Sequence, residues 1–175
     1  MAFLLRKISP NKWQPNLALE PKNYSADAIT GCTRTQHNTL SVWHSDTNDF
    51  SNRSVEELVV ALATTMQQPD KIDVIWLDEN DLTQLGLNID DNSATTKFES
   101  VNSRHKDIVE LDHEKLALVS EHIVNQFKNS NNRKSYGRAE LIKLISEWSD
   151  NPDTFALESL SDKWIAAVEK YRERQ

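Results

Sequence analysis

The run IDVIWL, residues 72–77, limits the fold more than any other stretch of this 175-residue chain. It is short, nearly all apolar and rich in β-branched side chains, the composition of a strand that fills the interior of a sheet. Such a strand needs cover, and the residues before it supply a helix. Val55, Leu58, Val59, Leu62 and Met66 recur at helical spacing and form one apolar stripe. Ser54 and Glu57 make a capping-box pattern at its start, and Pro69 ends it.

The opening MAFLLRKIS predicts another strand, since its apolar residues precede Arg6 and Lys7, the reverse of a secretory leader. Pro10, Pro15 and Pro21 then stand too close together for a long helix, so residues 9–28 are expected to wrap the surface, anchored by Trp13 and by Leu17 or Leu19. The stretch TRTQHNTLSVWHSD, residues 33–46, alternates polar and apolar positions and predicts a β-hairpin turning at His37 and Asn38. That register puts Ile29, Leu40 and Val42 on a core face and Cys32, Arg34, Gln36, Thr39, Ser41 and Trp43 on the other; a three-residue turn would instead bring Cys32 and Val42 together.

Beyond the central strand, a short helix is expected from Glu79 to Leu85, closed by Gly86. Residues 88–104 are polar and turn-rich, which predicts a mobile loop. A longer helix should follow from Asp107 or an Asp112 cap to Phe127, with Leu116, Val119, Ile123 and Phe127 on one face. Residues 128–137, KNSNNRKSYG, read as a polar linker. Two amphipathic helices follow, with Leu141, Leu144, Ile145 and Trp148 on the first and Trp164, Val168 and Tyr171 on the second. The expected class is α+β: a small, mainly antiparallel sheet covered by helices, with a C-terminal helical hairpin. The expected organisation is a 1–127 body, a 128–137 linker and a 138–175 hairpin appendage.

Composition narrows the chemistry. Three glycines leave no glycine-rich phosphate loop, and one cysteine, Cys32, builds no intrachain disulfide, which points to a reducing cytosol. Its longest apolar run, Leu58 to Met66, is too short to span a bilayer, so no membrane partner is expected. A formal charge of -7 opposes general nucleic-acid binding. The charge is uneven, however: residues 78–91 carry five acids and no base, while Lys128, Arg133, Lys134 and Arg138 concentrate positive charge beside Tyr136, a local nucleic-acid candidate.

Asp78, Glu79 and Asp81 lie just past the buried strand, where α/β proteins hold metal-binding or catalytic carboxylates. Helix capping and dipole compensation fully explain acids there and are the preferred reading. Glu110 and His113 have Glu-x-x-His spacing, but a continuous helix would put Glu110, Glu114 and Glu121 within about 40° of one another on the solvent side. The histidines show no zinc spacing, and Cys32 reads as a packed thiol rather than a nucleophile. No cofactor is expected. The preferred function is a non-enzymatic, cytosolic accessory or adaptor subunit that binds another protein. Its docking residues would be Arg34 and Trp43 on the hairpin face and Leu141, Leu144, Trp148, Trp164, Val168 and Tyr171 on the C-terminal helices. A metal-dependent hydrolase or nuclease using Asp78, Glu79 and Asp81 is the alternative.

Overall fold

The computed structural model describes residues 2–33, 37–151 and 153–175. Its strands are β1 (Phe3–Lys7), β2 (Leu40–Ser45), β3 (Ile72–Asp78), β4 (Asn88–Asp91), β5 (His105–Val109) and β6 (Arg133–Tyr136). They form one sheet in the order β4-β5-β2-β1-β3-β6. The α-helices are α1 (Pro10–Trp13), α2 (Ala26–Cys32), α3 (Arg53–Thr64), α4 (Glu79–Gln84), α5 (His113–Lys128), α6 (Arg138–Ser149) and α7 (Asp162–Arg172). The fold is α+β, with the helical pair α6 and α7 at its C-terminal end. Among the described residues no helix is long and apolar enough to cross a membrane.

Two compact units emerge, each built from separated stretches of sequence: Met1–Asn48, Asp73–Asn92 and Arg104–Lys134 in one, Asp49–Ile72, Ser93–Ser103 and Ser135–Gln175 in the other. The C-terminal helices therefore share a unit with α3 and with residues 93–103.

In the first unit, β1 lies between β2 and β3 and is antiparallel to both, with Leu5 opposite Trp43 and Trp76. Alternation along the strands sends Leu4, Leu40, Val42, Ile75, Leu77 and Ile108 to one face, where they meet Trp13, Ala28, Leu82, Val119, Ile123, Val124 and Phe127. The opposite face carries Leu5, Trp43, Val74 and Trp76, all buried. IDVIWL is thus the two-sided buried strand that its composition requires.

The proline-rich segment folds as short helices with Pro10 and Pro21 in first-turn positions, where the missing N–H costs nothing. Trp13 is its fully buried anchor and Leu17 packs on the core, while Leu19 stays 43% exposed. Helix α4 ends as expected, with Gly86 left-handed at φ 78°. Helix α5 starts at the Asp112 cap, whose carboxylate accepts from the Lys115 N–H.

Several sequence expectations fail for identifiable reasons. Residues up to Cys32, where the first arm of the hairpin would begin, belong to helix α2, and Arg34, Thr35 and Gln36 lie outside the described residues. His37 and Asn38 have the positive φ of a turn, at 55° and 59°, while β2 pairs with the distant strands β1 and β5. Local alternation could not show that tertiary pairing would outcompete a neighbour. Asn52, not Ser54, caps α3, its Oδ1 accepting from the Ser54 N–H at 2.9 Å. The expected loop over 88–104 contains β4, and β5 follows at once; the acids of β4 are compatible with a strand exposed at the sheet edge. Glu110, at φ 55°, lies before α5, so it and His113 do not share a continuous helix. Residues 128–137 are not a free linker: they hold the last residue of α5, a short 3₁₀ turn and β6.

In the second unit α6 packs on both α3 and α7. The Trp148 indole donates to Glu56 Oε1 at 2.6 Å, its ring lies against Phe98 with centroids 5.3 Å apart, and the Arg53 guanidinium stands 4.1 Å over it. Trp164, fully buried, donates to the Met66 carbonyl at 2.9 Å. In the first unit, His122 of α5 is 5% exposed, and its Nε2 accepts from the Asp78 N–H at 3.1 Å. That bond requires the neutral ring with its proton on Nδ1.

Two outcomes follow for stability. Trp164→Ala should cost about 3–5 kcal/mol in denaturant unfolding, because it removes a buried aromatic and leaves a carbonyl without its donor; a loss below about 1 kcal/mol would contradict the packing of α7. Burial lowers the His122 pKa against the opposing pull of Asp81 and Asp78. The unfolded chain, with a histidine pKa near ~6.5, therefore binds more protons than the folded chain just below that pH. Stability is full above that value and declines as pH falls toward the depressed folded pKa. His122→Gln keeps an acceptor for the Asp78 N–H but cannot titrate, so the midpoint temperature should vary less between about pH 7 and 5; an unchanged pH slope would eliminate His122 as a source.

Candidate functional site

The carboxylates at the end of β3 separate by role. Asp78 Oδ1 accepts from the Asn80 and Asp81 N–H groups at 2.9 and 3.1 Å, so it caps α4. Asp81 is in the first turn, where it complements the helix dipole. Glu79 alone reaches into a side-chain network. Register puts His44 and Lys106 on the Leu4 face of the sheet, and both converge on Glu79. Lys106 Nζ lies 3.5 Å from Glu79 Oε1 and 3.2 Å from Asp91 Oδ1. His44 Nδ1 lies 3.4 Å from Glu79 Oε2, and its Nε2 is 3.3 Å from Asp46 Oδ1.

Burial works to lower the Lys106 pKa, but hydrogen bonds and charge from Asp91 and Glu79 overcome it and raise the value. An ammonium held so is neither a nucleophile nor a base near neutrality. Beside this network is an acid-lined groove of about 320 Å³, bordered by Glu79, Thr83, Ile89, Asp90 and Glu110. Glu110 accepts from Asn88 at 2.7 Å and lies 3.4 Å from Lys115 Nζ; the Asn88 bond first, then Lys115, holds its pKa below the ordinary carboxylate value. Among the described residues no group of three or more histidine, cysteine, aspartate or glutamate side chains is placed to hold a metal ion.

On the other sheet face, Asp107 is 6% exposed and accepts from Ser41 Oγ at 3.1 Å and Asn92 Nδ2 at 2.6 Å. His105 Nδ1 lies 2.9 Å from the Asn92 carbonyl, and its ring meets Trp43 edge to face at 5.2 Å. These bonds satisfy a buried carboxylate and position an aromatic pair. The two groups form no nucleophile, base and orienting-group series.

Most residues expected to dock a partner are inside. Trp43 is 5% exposed, which removes it from the solvent face assigned to it, and Arg34 lies outside the described residues. Leu141, Leu144, Trp148, Trp164 and Val168 are buried; only Tyr171 of that set is partly open. Their stripes serve internal packing because α3 and residues 93–103 supply apolar partners in the same unit.

The residues of the basic segment are divided between the two units. Lys128 Nζ bonds Asn125 at 3.2 Å, and Arg133 stacks 4.1 Å over Phe127. Lys134 shares the first unit with these two, whereas Arg138 belongs to the second and donates to the Pro69 carbonyl at 3.3 Å. Tyr136 is 2% exposed and cannot offer its ring face to a base. Cys32 packs at the edge of the core, its Sγ accepting from the Ser9 N–H at 3.2 Å.

Sequence reasoning passed over Lys106 and Arg6. Arg6 reaches the Ser41 and Cys32 carbonyls at 2.7 and 3.2 Å. Burial lowers its pKa against the countervailing Cys32 and Asp107. Its position two residues after a core leucine in a strand was the available signal, since that spacing returns a side chain to the same face. In comparisons with known proteins, the chain matches no family model, no curated protein and no solved structure.

Proposed function

We propose that the protein acts without catalysis, as an accessory subunit of a cytosolic complex that binds an extended, basic segment of a partner protein along β4. The supporting observation is the edge position of this strand beside its acid-lined groove. The Asn92 N–H bonds the His105 carbonyl, and continuing this antiparallel register makes 90–107 and 88–109 the hydrogen-bonded pairs. The main-chain groups of Ile89 and Asp91 consequently turn away from β5. An added strand takes up those groups, while its lysines or arginines face Asp90 and the groove carboxylates.

Charge also selects against a second copy at this edge, because Asp90 and Asp91 of two chains would face each other. A basic occupant complements the same feature. The free cysteine and the absence of an intrachain disulfide accord with a reducing compartment.

Selection from a displayed library of short extended peptides tests this reading. Binders should be rich in lysine or arginine and should slow amide exchange at Ile89 and Asp91. Asp90→Lys, at an exposed side chain, should weaken them about tenfold at low salt. Binders that protect other amides, or that ignore Asp90→Lys, would reject β4 as the docking strand.

A further inference from the structure

The second unit contains a cleft of about 450 Å³ lined by Gln68, Pro69, Arg138, Lys163, Ala166, Ala167 and Lys170. Three of these seven side chains are cationic, and none is a carboxylate. This is unusual in a chain with 27 acids and 20 lysines and arginines, where neutralised surface lysines would be the expected arrangement.

Helical geometry creates the cleft. Lys163, Ala166, Ala167 and Lys170 stand at i, i+3, i+4 and i+7 on one face of α7. The two small residues leave a depression between the lysines. The opposite wall is built from the chain after α3, which is tied to the C-terminal helices at successive residues: Trp164 donates to Met66, Ser161 to Gln67, Lys163 to Gln68 and Arg138 to Pro69.

Those bonds set Arg138 and Lys163 in place without cancelling their charge. Arg138 uses Nε on the Pro69 carbonyl, leaving its terminal amino groups available, and Lys163 Nζ bonds the neutral Gln68 amide at 2.9 Å. Helix α6 begins beside the cleft with Gly137, which has no side chain to cap the first turn. The positive end of this 12-residue helix adds to the field at Arg138, against the opposing charge of Glu140 in the same first turn.

We propose that this cleft binds a small organic molecule bearing a di- or triphosphate group, with Arg138, Lys163 and Lys170 holding the phosphates and Pro69, Ala166 and Ala167 contacting the apolar part. Three positive groups, two of them held in place by hydrogen bonds, suit the charge of a polyphosphate, and a guanidinium can bind it bidentately. The volume falls in the small-molecule range. A nucleic-acid strand would require a groove that continues along its backbone with repeated stacking aromatics, and this lining contains no aromatic residue.

Calorimetric titration of the full chain with inorganic pyrophosphate and with adenosine triphosphate, both without metal, tests the proposal. Both should bind, the nucleotide more tightly, and affinity should fall with salt. Lys163→Gln and Lys170→Gln should each weaken binding about fivefold, and the double variant more, while far-UV circular dichroism and the midpoint temperature stay near wild type. Lys170→Gln is the decisive single change because this side chain lines the cleft and is exposed, so its loss leaves the packing of α7 intact. Absence of binding by both probes would overturn the proposal, as would equal affinity of the folded double variant. Preferential binding of a single-stranded oligonucleotide or of anionic vesicles would overturn it in favour of a macromolecular surface. Loss of peptide binding at β4 would leave this result untouched.

Discussion

The pairing of β1 with β3 joins residues near the start of the chain to residues about 70 positions later, in the register Leu4 to Leu77 and Leu5 to Trp76. Leu4, Leu5, Val74, Ile75 and Leu77 are wholly buried, and fully burying each aliphatic side chain contributes roughly 1.5–3 kcal/mol. The cost is the closure of a long loop, which grows only slowly with length. Once β1 is in place, its other edge receives β2, and β2 in turn receives β5 and then β4. The acidic edge strand therefore depends on a register fixed three strands away.

The same ladder determines what the charged side chains can do. His44 stands opposite Leu4 and Lys106 opposite Val42, so both project from the apolar face and need partners where the core ends. Glu79 supplies them because it is the first residue of α4, directly after the buried strand. Asp78, one residue earlier, turns back to cap that helix. Adjacent carboxylates have thus been assigned different duties by the change from strand to helix. This is why a cluster in sequence is not a cluster of ligands in space.

The features legible in sequence were those whose cause is local or periodic. IDVIWL declared its burial by having no polar face, α5 by its stripe and Asp112 cap, and α4 by its stop at Gly86. The short edge strand β4 was hidden because Asn88, Asp90 and Asp91 are poor strand formers taken alone. Only pairing with β5 makes them one. The alternation around Trp43 holds in β2, but its place on that face is covered rather than open to solvent, which leaves Trp43 5% exposed. Likewise, the aromatic stripes of α6 and α7 were visible, whereas their internal partners Glu56, Met66 and Phe98 lie 50 to 98 positions away.

The basic cleft shows why counts of charge along a sequence window miss a field that a helix creates. Helix α7 contains Asp162 beside Lys163 and Glu169 beside Lys170, so each local window is nearly neutral. A step of about 100° per residue turns both acids away from the direction shared by the lysines. Ala166 and Ala167 then keep the space between those lysines open, and the bonds to residues 66–69 bring Arg138 to the same cleft. Net charge governs the long-range behaviour of this acidic chain, but recognition by a small anion is decided over one or two helical turns, inside the screening length of about 8 Å. At that range, the cleft presents positive charge even though the chain as a whole is negative.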